Sequence, residues 1–172
     1  MERAENYSAI ETARDGRRVE IRALRPDDRP ALEAAVERAS AHSLYRRFFA
    51  VRTMFTEEQA DYFVNVDFKT HVALLAVVDE GGHPAIVGGG RYVLVGQDRA
   101  EIAFMILDAY QGKGIGALLL RHLTVIARKA GLRQFIAEVL SENLPMLKMF
   151  ERCGLRMSAQ AEADVIHVTL DL

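Results

Sequence analysis

The sequence holds a single cysteine, Cys153. No disulfide can close within the chain, and a reducing compartment is the expectation. No apolar run approaches the roughly 20 residues that a bilayer-spanning helix needs. The opening stretch, MERAENYSAIETARDGRR, lacks the apolar centre of a signal segment. Together these point to a cytoplasmic protein without a membrane anchor. Neither charge sign dominates: 22 lysines and arginines face 24 aspartates and glutamates, for a net charge of −2. That balance offers no bulk attraction to nucleic acid or to a membrane. The five histidines, His42, His71, His83, His122 and His167, are scattered. None pairs with another at ligand spacing, so no metal is expected. Internal repeats and low-complexity linkers are absent as well.

What is present suffices for one domain with a substantial core: 172 residues, half of them hydrophobic. Met1 to Gly16 reads as a flexible polar arm, residues 1–16, and residues 17–172 as the domain. Arg18 to Leu24 alternates as a strand does. Pro26, Asp27 and Asp28 suit the first turn of a helix, with Leu32, Ala35 and Val36 as its apolar stripe. Ser40 to Phe49 reads as a second helix, and Thr56 to Gln59 as the capping box of a third that runs to about Val64. His71 to Asp79 reads as a buried strand. A turn over Glu80 to Pro84 leads to its hairpin partner, Ala85 to Val95. The run Gly88-Gly89-Gly90 in that partner suggests a bulge or a close approach by another group. After the central stretch come a strand, Gln134 to Leu140, a short helix, Asn143 to Arg152, and a stop at Gly154. A final strand pair ends the chain.

The central stretch is Ala100 to Arg121, AEIAFMILDAYQGKGIGALLLR. A short bulky apolar run predicts a buried strand, and Asp108-Ala109-Tyr110 ends it. Gln111-Gly112-Lys113-Gly114-Ile115-Gly116 then leads into a helix with a broad apolar face. Glycines let a backbone approach a ligand closely. The free N–H groups and dipole at a helix start favour a phosphate, and Lys113 adds charge beside it. The dinucleotide fingerprint G-x-G-x-x-G does not fit, and no Gly-Lys-Ser or Gly-Lys-Thr follows for a P-loop.

The spacing that does fit is Gln-x-x-Gly-x-Gly, at Gln111, Gly114 and Gly116. Here the sequence resembles the GNAT family of N-acetyltransferases. The resemblance covers most of the chain from Arg18 onward and is strongest from Ala100 to Leu155. Asn143 to Leu155 resembles the family's second motif. The strand Ala100-Glu101-Ile102-Ala103-Phe104, the segment Ser43 to Phe49 and the pair Asp67-Phe68 resemble the bacterial protein lysine acetyltransferases. Relatives of that branch often carry a further regulatory domain, for which this chain shows no room.

The resemblance implies an α/β (α+β) fold: a mixed, mostly antiparallel central sheet, helices on both faces, and an acyl-CoA slot where two strands splay. It implies acetyl-CoA as cosubstrate, with its pyrophosphate at Gln111, Gly112, Lys113, Gly114, Ile115 and Gly116. The pantetheine would lie along Met105, Ile106 and Leu107, whose backbone groups would meet the thioester oxygen. Asn143 and Met146 would also contact the cofactor. Glu101 would be the base.

The chemistry requires such a base. An amine attacks a thioester only as the free base, and a lysine amine with a pKa near ~10.4 must first lose a proton. Glu101 stands on an otherwise apolar strand, which predicts partial burial. Glu138 and Glu142 are the reserve candidates. Many family members place a tyrosine where this chain has Phe150, which has no proton to give to the leaving thiolate. Tyr110 reads as loop packing, Cys153 as packing, and Phe48, Phe49, Phe63 and Phe68 as core or slot wall. Arg46 and Arg47 read as a solvated face. The acceptor is expected to be a protein lysine, with a small-molecule amine or a non-catalytic acyl-CoA-binding module as the alternatives. A homodimer is one arrangement that the sequence leaves open.

Overall fold

The computed structural model describes residues 3–39 and 57–172. The strands are β1 (Ser8–Thr12), β2 (Arg18–Ala23), β3 (His71–Glu80), β4 (His83–Leu94), β5 (Arg99–Ile106), β6 (Gln134–Leu140), β7 (Arg156–Glu162) and β8 (Val165–Asp171). Four α-helices are described: α1 (Arg29–Arg38), α2 (Glu57–Val64), α3 (Ile115–Lys129) and α4 (Leu144–Arg152). The expected helix over Ser40 to Phe49, the cap at Thr56, and Arg46, Arg47, Phe48 and Phe49 lie outside the described residues.

The strands form one eight-stranded sheet in the order β1-β2-β3-β4-β5-β6-β8-β7. Every neighbouring pair is antiparallel except β5 with β6, which run parallel. A parallel pair needs a crossover, and α3 supplies it. β3 is buried along its first eight residues. That explains its unbroken apolar sequence: helices cover it on both faces. The larger core lies between the sheet and α3, around Leu119, Leu120, Leu123, Phe104, Phe135 and Phe150. A smaller one lies under α1 and α2, around Leu24, Ala35, Val64, Leu75 and Ile86.

One expectation is corrected. The stretch from Arg3 to Gly16 is not a loose arm: Ser8–Thr12 pairs along its full length with β2. Glu11 also accepts from Arg121 and meets His122 Nε2 at 2.7 Å, and Tyr7 bonds the other nitrogen of that ring. Arg121 and His122 thus tie the strand to α3. Glu11 is held below the usual carboxylate range by the Arg121 bond first and the His122 bond second.

The triple glycine of β4 has two causes. The β3–β4 register shifts at Ala76/Val77, which is the expected bulge. In addition, a Cβ on Gly88 would lie 2.6 Å from the Ile106 side chain, and one on Gly90 would lie 2.7 Å from the Phe104 ring and 3.1 Å from Leu123. Bulky β5 residues occupy the room that these two glycines leave. Gly90→Ala is therefore expected to cost about 1–3 kcal/mol by overpacking. For a chain of this size that lowers Tm by roughly 3–10 °C. Calorimetric melting checks this, and an unchanged Tm would show that Phe104 and Leu123 yield freely.

Candidate active site

The gap that matters lies between β5 and β6. The two strands pair only at Arg99↔Gln134, Ala100↔Phe135 and Glu101↔Ile136. Beyond Glu101 and Ile136 they diverge, β5 continuing to Ile106 and β6 to Leu140. Among the described residues, the backbone of β5 past Glu101 therefore has no strand partner on that side.

Parity decides which groups face the opening. The N–H of Val95 donates to the Arg99 carbonyl, and that of Leu107 donates to the Val87 carbonyl at 2.9 Å. Odd-numbered residues of β5 thus direct their backbone groups to β4. By the alternation of antiparallel ladders, even-numbered residues direct theirs to the gap. Of the three residues expected along the pantetheine, Ile106 presents its N–H there. The N–H of Leu107 is engaged with β4. The Ile106 carbonyl accepts from the Gln111 side chain at 3.0 Å, which tethers the glycine loop to the strand end.

The loop itself is built for an anion. Gly112 and Gly114 have φ of 74° and 83°. Gly114 is the left-handed N-cap of α3, with no side-chain cap and no acidic residue in the first turn. The first N–H groups of the helix are therefore left to a ligand. Gly116 serves packing: a Cβ there would lie 2.9 Å from Met149 Sδ on α4.

A cavity of about 670 Å³ opens along this loop and the helices α3 and α4. Met105, Ile106, Gln111, Gly112, Gly114, Ile115, Gly116, Asn143 and Met146 all line it. Asn143 is buried and caps α4, its side-chain oxygen accepting from the Met146 N–H at 3.4 Å. Two expected members stand apart. Leu107 lines a different cavity. Lys113 is directed to Asp15, 3.9 Å away, and is not in the lining. The cation beside the loop is Arg14, from the β1–β2 turn, whose backbone N–H donates to the Lys113 carbonyl. Arg14 joins Arg121, Arg128, Lys148 and Arg152 in the lining, which contains no carboxylate among the described residues. Such a site suits a polyanion. No local pattern marked Arg14, because it reaches the loop only through the β1–β2 hairpin.

Tyr110, read as loop packing, is buried and lines the cavity, and its hydroxyl donates to Glu80. Arg38 grips the same carboxylate with bonds of 2.8 and 3.0 Å. The Arg38 bond first, and the Tyr110 bond next, hold Glu80 below the usual range. Burial first, and Glu80 next, push the Tyr110 hydroxyl up. This latch fixes the turn just before the glycine loop. Phe150 is buried against Phe104, with ring centroids 6.3 Å apart. It is a core residue and does not line the cavity.

Glu101 stands at the closed end of the gap. Gly90 and its cross-strand partner Phe104 face α3, so Glu101, Ala103 and Met105 face the other way. The expected partial burial is not found: Glu101 is exposed. Among the described residues, α1 and α2 lie over β3 and β4 and not over Glu101. Along β7 only Met157 escapes full exposure. Glu138, two residues beyond Ile136, shares this face, 3.7 Å from His167 Nδ1. His167 Nε2 lies 3.0 Å from Glu162. Glu142 is exposed, in the turn after β6.

Comparison with known proteins agrees with this fold. The acetyltransferase (GNAT) family model matches residues 38–155. An acetyltransferase named Pat from Mycolicibacterium smegmatis is 37% identical over 135 residues, spanning 73% of this chain and 40% of that protein. An acetyltransferase of Pseudomonas aeruginosa is 32% identical over 163 residues, covering 92% of this chain and 87% of its own length. Among solved structures, the GNAT domain of Streptomyces lividans PAT superposes with a TM-score of 0.87 at 33% identity, covering 96% of this chain and 97% of that domain. Among the described residues no helix is long and apolar enough to cross a membrane.

Proposed function

Because this chain belongs to the acetyltransferase (GNAT) family, we propose that it moves an acetyl group from acetyl-CoA to the side-chain amine of a lysine on a protein, in the cytoplasm. The family makes it an acetyl-CoA-dependent acyltransferase. The cofactor's phosphates suit the cation-lined cavity and the start of α3, and its pantetheine suits the gap beside Ile106. The thioester supplies the activated acetyl group.

The observation that carries the reading is Glu101 at the closed end of the gap, on the face opposite α3. A cofactor entering from the α3 side and an amine arriving from the opposite face would meet along the gap that runs from Glu101 to Ile106. Glu101 lies roughly 16 Å up the strand from Ile106 by backbone rise, and takes the amine proton through a chain of waters. The amine attacks the thioester carbon, and the Ile106 N–H donates to the oxygen as it gains charge. The C–S bond then breaks and CoA leaves as thiolate. Phe150 offers it no proton, so solvent does.

The exposure of Glu101, on a face that no described helix covers at that point, favours an amine presented by a macromolecule. A small amine would need a closed polar pocket around it. The sequence of β5 supports the same branch of the family. The test is incubation of the enzyme and labelled acetyl-CoA with a cell lysate and, separately, with a small-amine panel. Saturable labelling of lysate proteins is the expected result. Efficient turnover of one small amine, with lysate labelling no greater than the chemical background, would replace this acceptor. Absence of thiol release with every amine would favour a binding module.

A further inference from the structure

We infer that the β1–β2 hairpin is a clamp on the phosphates of the acyl donor, and that His122, through Tyr7 and Glu11, is the positioning residue that seats it. The inference rests on the reading above that those phosphates lie at the start of α3. Tyr7, Glu11 and Arg14 precede residues 38–155, the stretch that the family model matches, so membership of the family assigns them no role.

β1 is an edge strand whose neighbour is β2. Extended residues alternate between two faces. Tyr7, Ala9, Glu11 and Ala13 are the half-buried or buried positions here, and the residues between them are exposed. Two of the four are alanines, which offer α3 little apolar surface. The two polar side chains carry the contact. His122 Nε2 lies 2.7 Å from Glu11, and the Tyr7 hydroxyl bonds Nδ1, with the two rings edge-on and their centroids 5.5 Å apart. A neutral imidazole with its proton on Nε2 donates to Glu11 and accepts from Tyr7, so both ring nitrogens are engaged. The His122 side chain is only 11% exposed, so water does not readily replace either bond. Glu11 also accepts from Arg121, a cation of the cofactor cavity.

The seat of β1 on α3 fixes where Arg14 stands. Thr12 and Ala13 alone separate Glu11 from Arg14, so their Cα atoms are at most about 11 Å apart. The turn is tight: the Ala13 N–H donates to the Arg17 carbonyl at 2.8 Å, and the Gly16 N–H to the Ala13 carbonyl at 3.0 Å. Its tip docks on the glycine loop at three points. The Arg14 backbone N–H meets the Lys113 carbonyl at 2.9 Å, the Asp15 carboxylate lies 3.9 Å from Lys113 Nζ, and the Arg17 guanidinium stands over the Tyr110 ring, 5.0 Å from its centroid. Arg14 Nε is thereby placed 3.2 Å from the point where a Cβ on Gly114 would stand. A guanidinium there faces the same anion as the first N–H groups of α3, and its planar fork of N–H groups matches a phosphate.

A double-mutant cycle tests the clamp, with acetyl-CoA affinity measured by calorimetry in the absence of acceptor. Arg14→Ala is expected to weaken binding by roughly 10- to 100-fold, the worth of a charge-assisted hydrogen bond. His122 is not in the lining of the cavity. His122→Ala should nevertheless weaken binding by about tenfold. In the Arg14→Ala background the same change should cost about twofold or less, because the cation it seats is gone. Tyr7→Phe, which keeps the ring and loses the hydroxyl bond to His122, should show the same coupling at about three- to fivefold. It takes the place of His122→Ala in the cycle if circular dichroism shows that the alanine variant does not fold. S-acetylpantetheine, which carries the thioester and no phosphate, separates a positioning role from a merely structural one. With a common amine, His122→Ala should lower kcat/KM for acetyl-CoA about tenfold more than for this donor, with the difference in KM. A His122→Ala penalty that is equal in both Arg14 backgrounds, or equal for the two donors, would overturn the clamp. The affinities need no acceptor, so they decide the clamp even if no amine is acetylated, a result that would remove the proposed function alone.

Discussion

A Glu101→Gln enzyme is expected to turn over roughly 100- to 10,000-fold more slowly at neutral pH, the usual range for a lost general base. Its affinity for acetyl-CoA should be nearly unchanged. The split follows from position: Glu101 lies beyond the lining of the cofactor cavity, on the face from which the amine would come. The deficit should shrink as pH rises toward ~10.4, where a lysine amine is already deprotonated in solution. Steady-state kinetics from pH 7 to pH 10, with calorimetry for the cofactor, measure both effects. Near wild-type turnover at neutral pH would move the role to Glu138, which shares the face, or to a water chain. A matched Glu138→Gln variant distinguishes these.

Gly114→Asp is expected to weaken CoA binding by about 100-fold or more, on the scale of a like-charge contact worth several kcal/mol. Three effects act in the same direction. The residue has φ of 83°, where a side chain is strained. Its Cβ would lie 3.2 Å from Arg14 Nε, one of the cations of the site. Its carboxylate would stand where the helix N-terminus favours a phosphate. Gly114→Ala separates these causes: it keeps the strain and the crowding without the charge. The alanine variant should lose about tenfold, consistent with the ~1–2 kcal/mol cost of a left-handed residue. Unchanged CoA affinity in Gly114→Asp would place the cofactor elsewhere on the protein.

Much of the fold was legible in the sequence, because the signals were local. Gln134–Leu140 occupies the residues that its apolar pattern delimits. The continuous apolar run of β3 reported burial on both faces, and Gly112 and Gly114 reported positive φ. The run into Leu119, Leu120 and Leu123 reported the buried side of α3. The resemblance of Ala100 to Leu155 then supplied the mixed sheet and the gap, which periodicity alone does not give.

Only the tertiary structure decided the remainder. Ser8–Thr12 is a short edge strand, with one face exposed and the other half-buried. Its polar sequence resembles that of a tail until β2 and α3 are beside it. Arg14 and Lys113 are equally cationic in sequence, yet the hairpin places Arg14 in the site and Asp15 draws Lys113 away. An apolar strand suggests a buried Glu101, but burial depends on what covers each face. The described helices on that face lie over β3 and β4, and Glu101 is exposed. The reason is common to all three: a residue's own type and its near neighbours set backbone conformation and the period of burial. Which face is covered, and which distant cation arrives, depends on contacts between segments far apart in the chain.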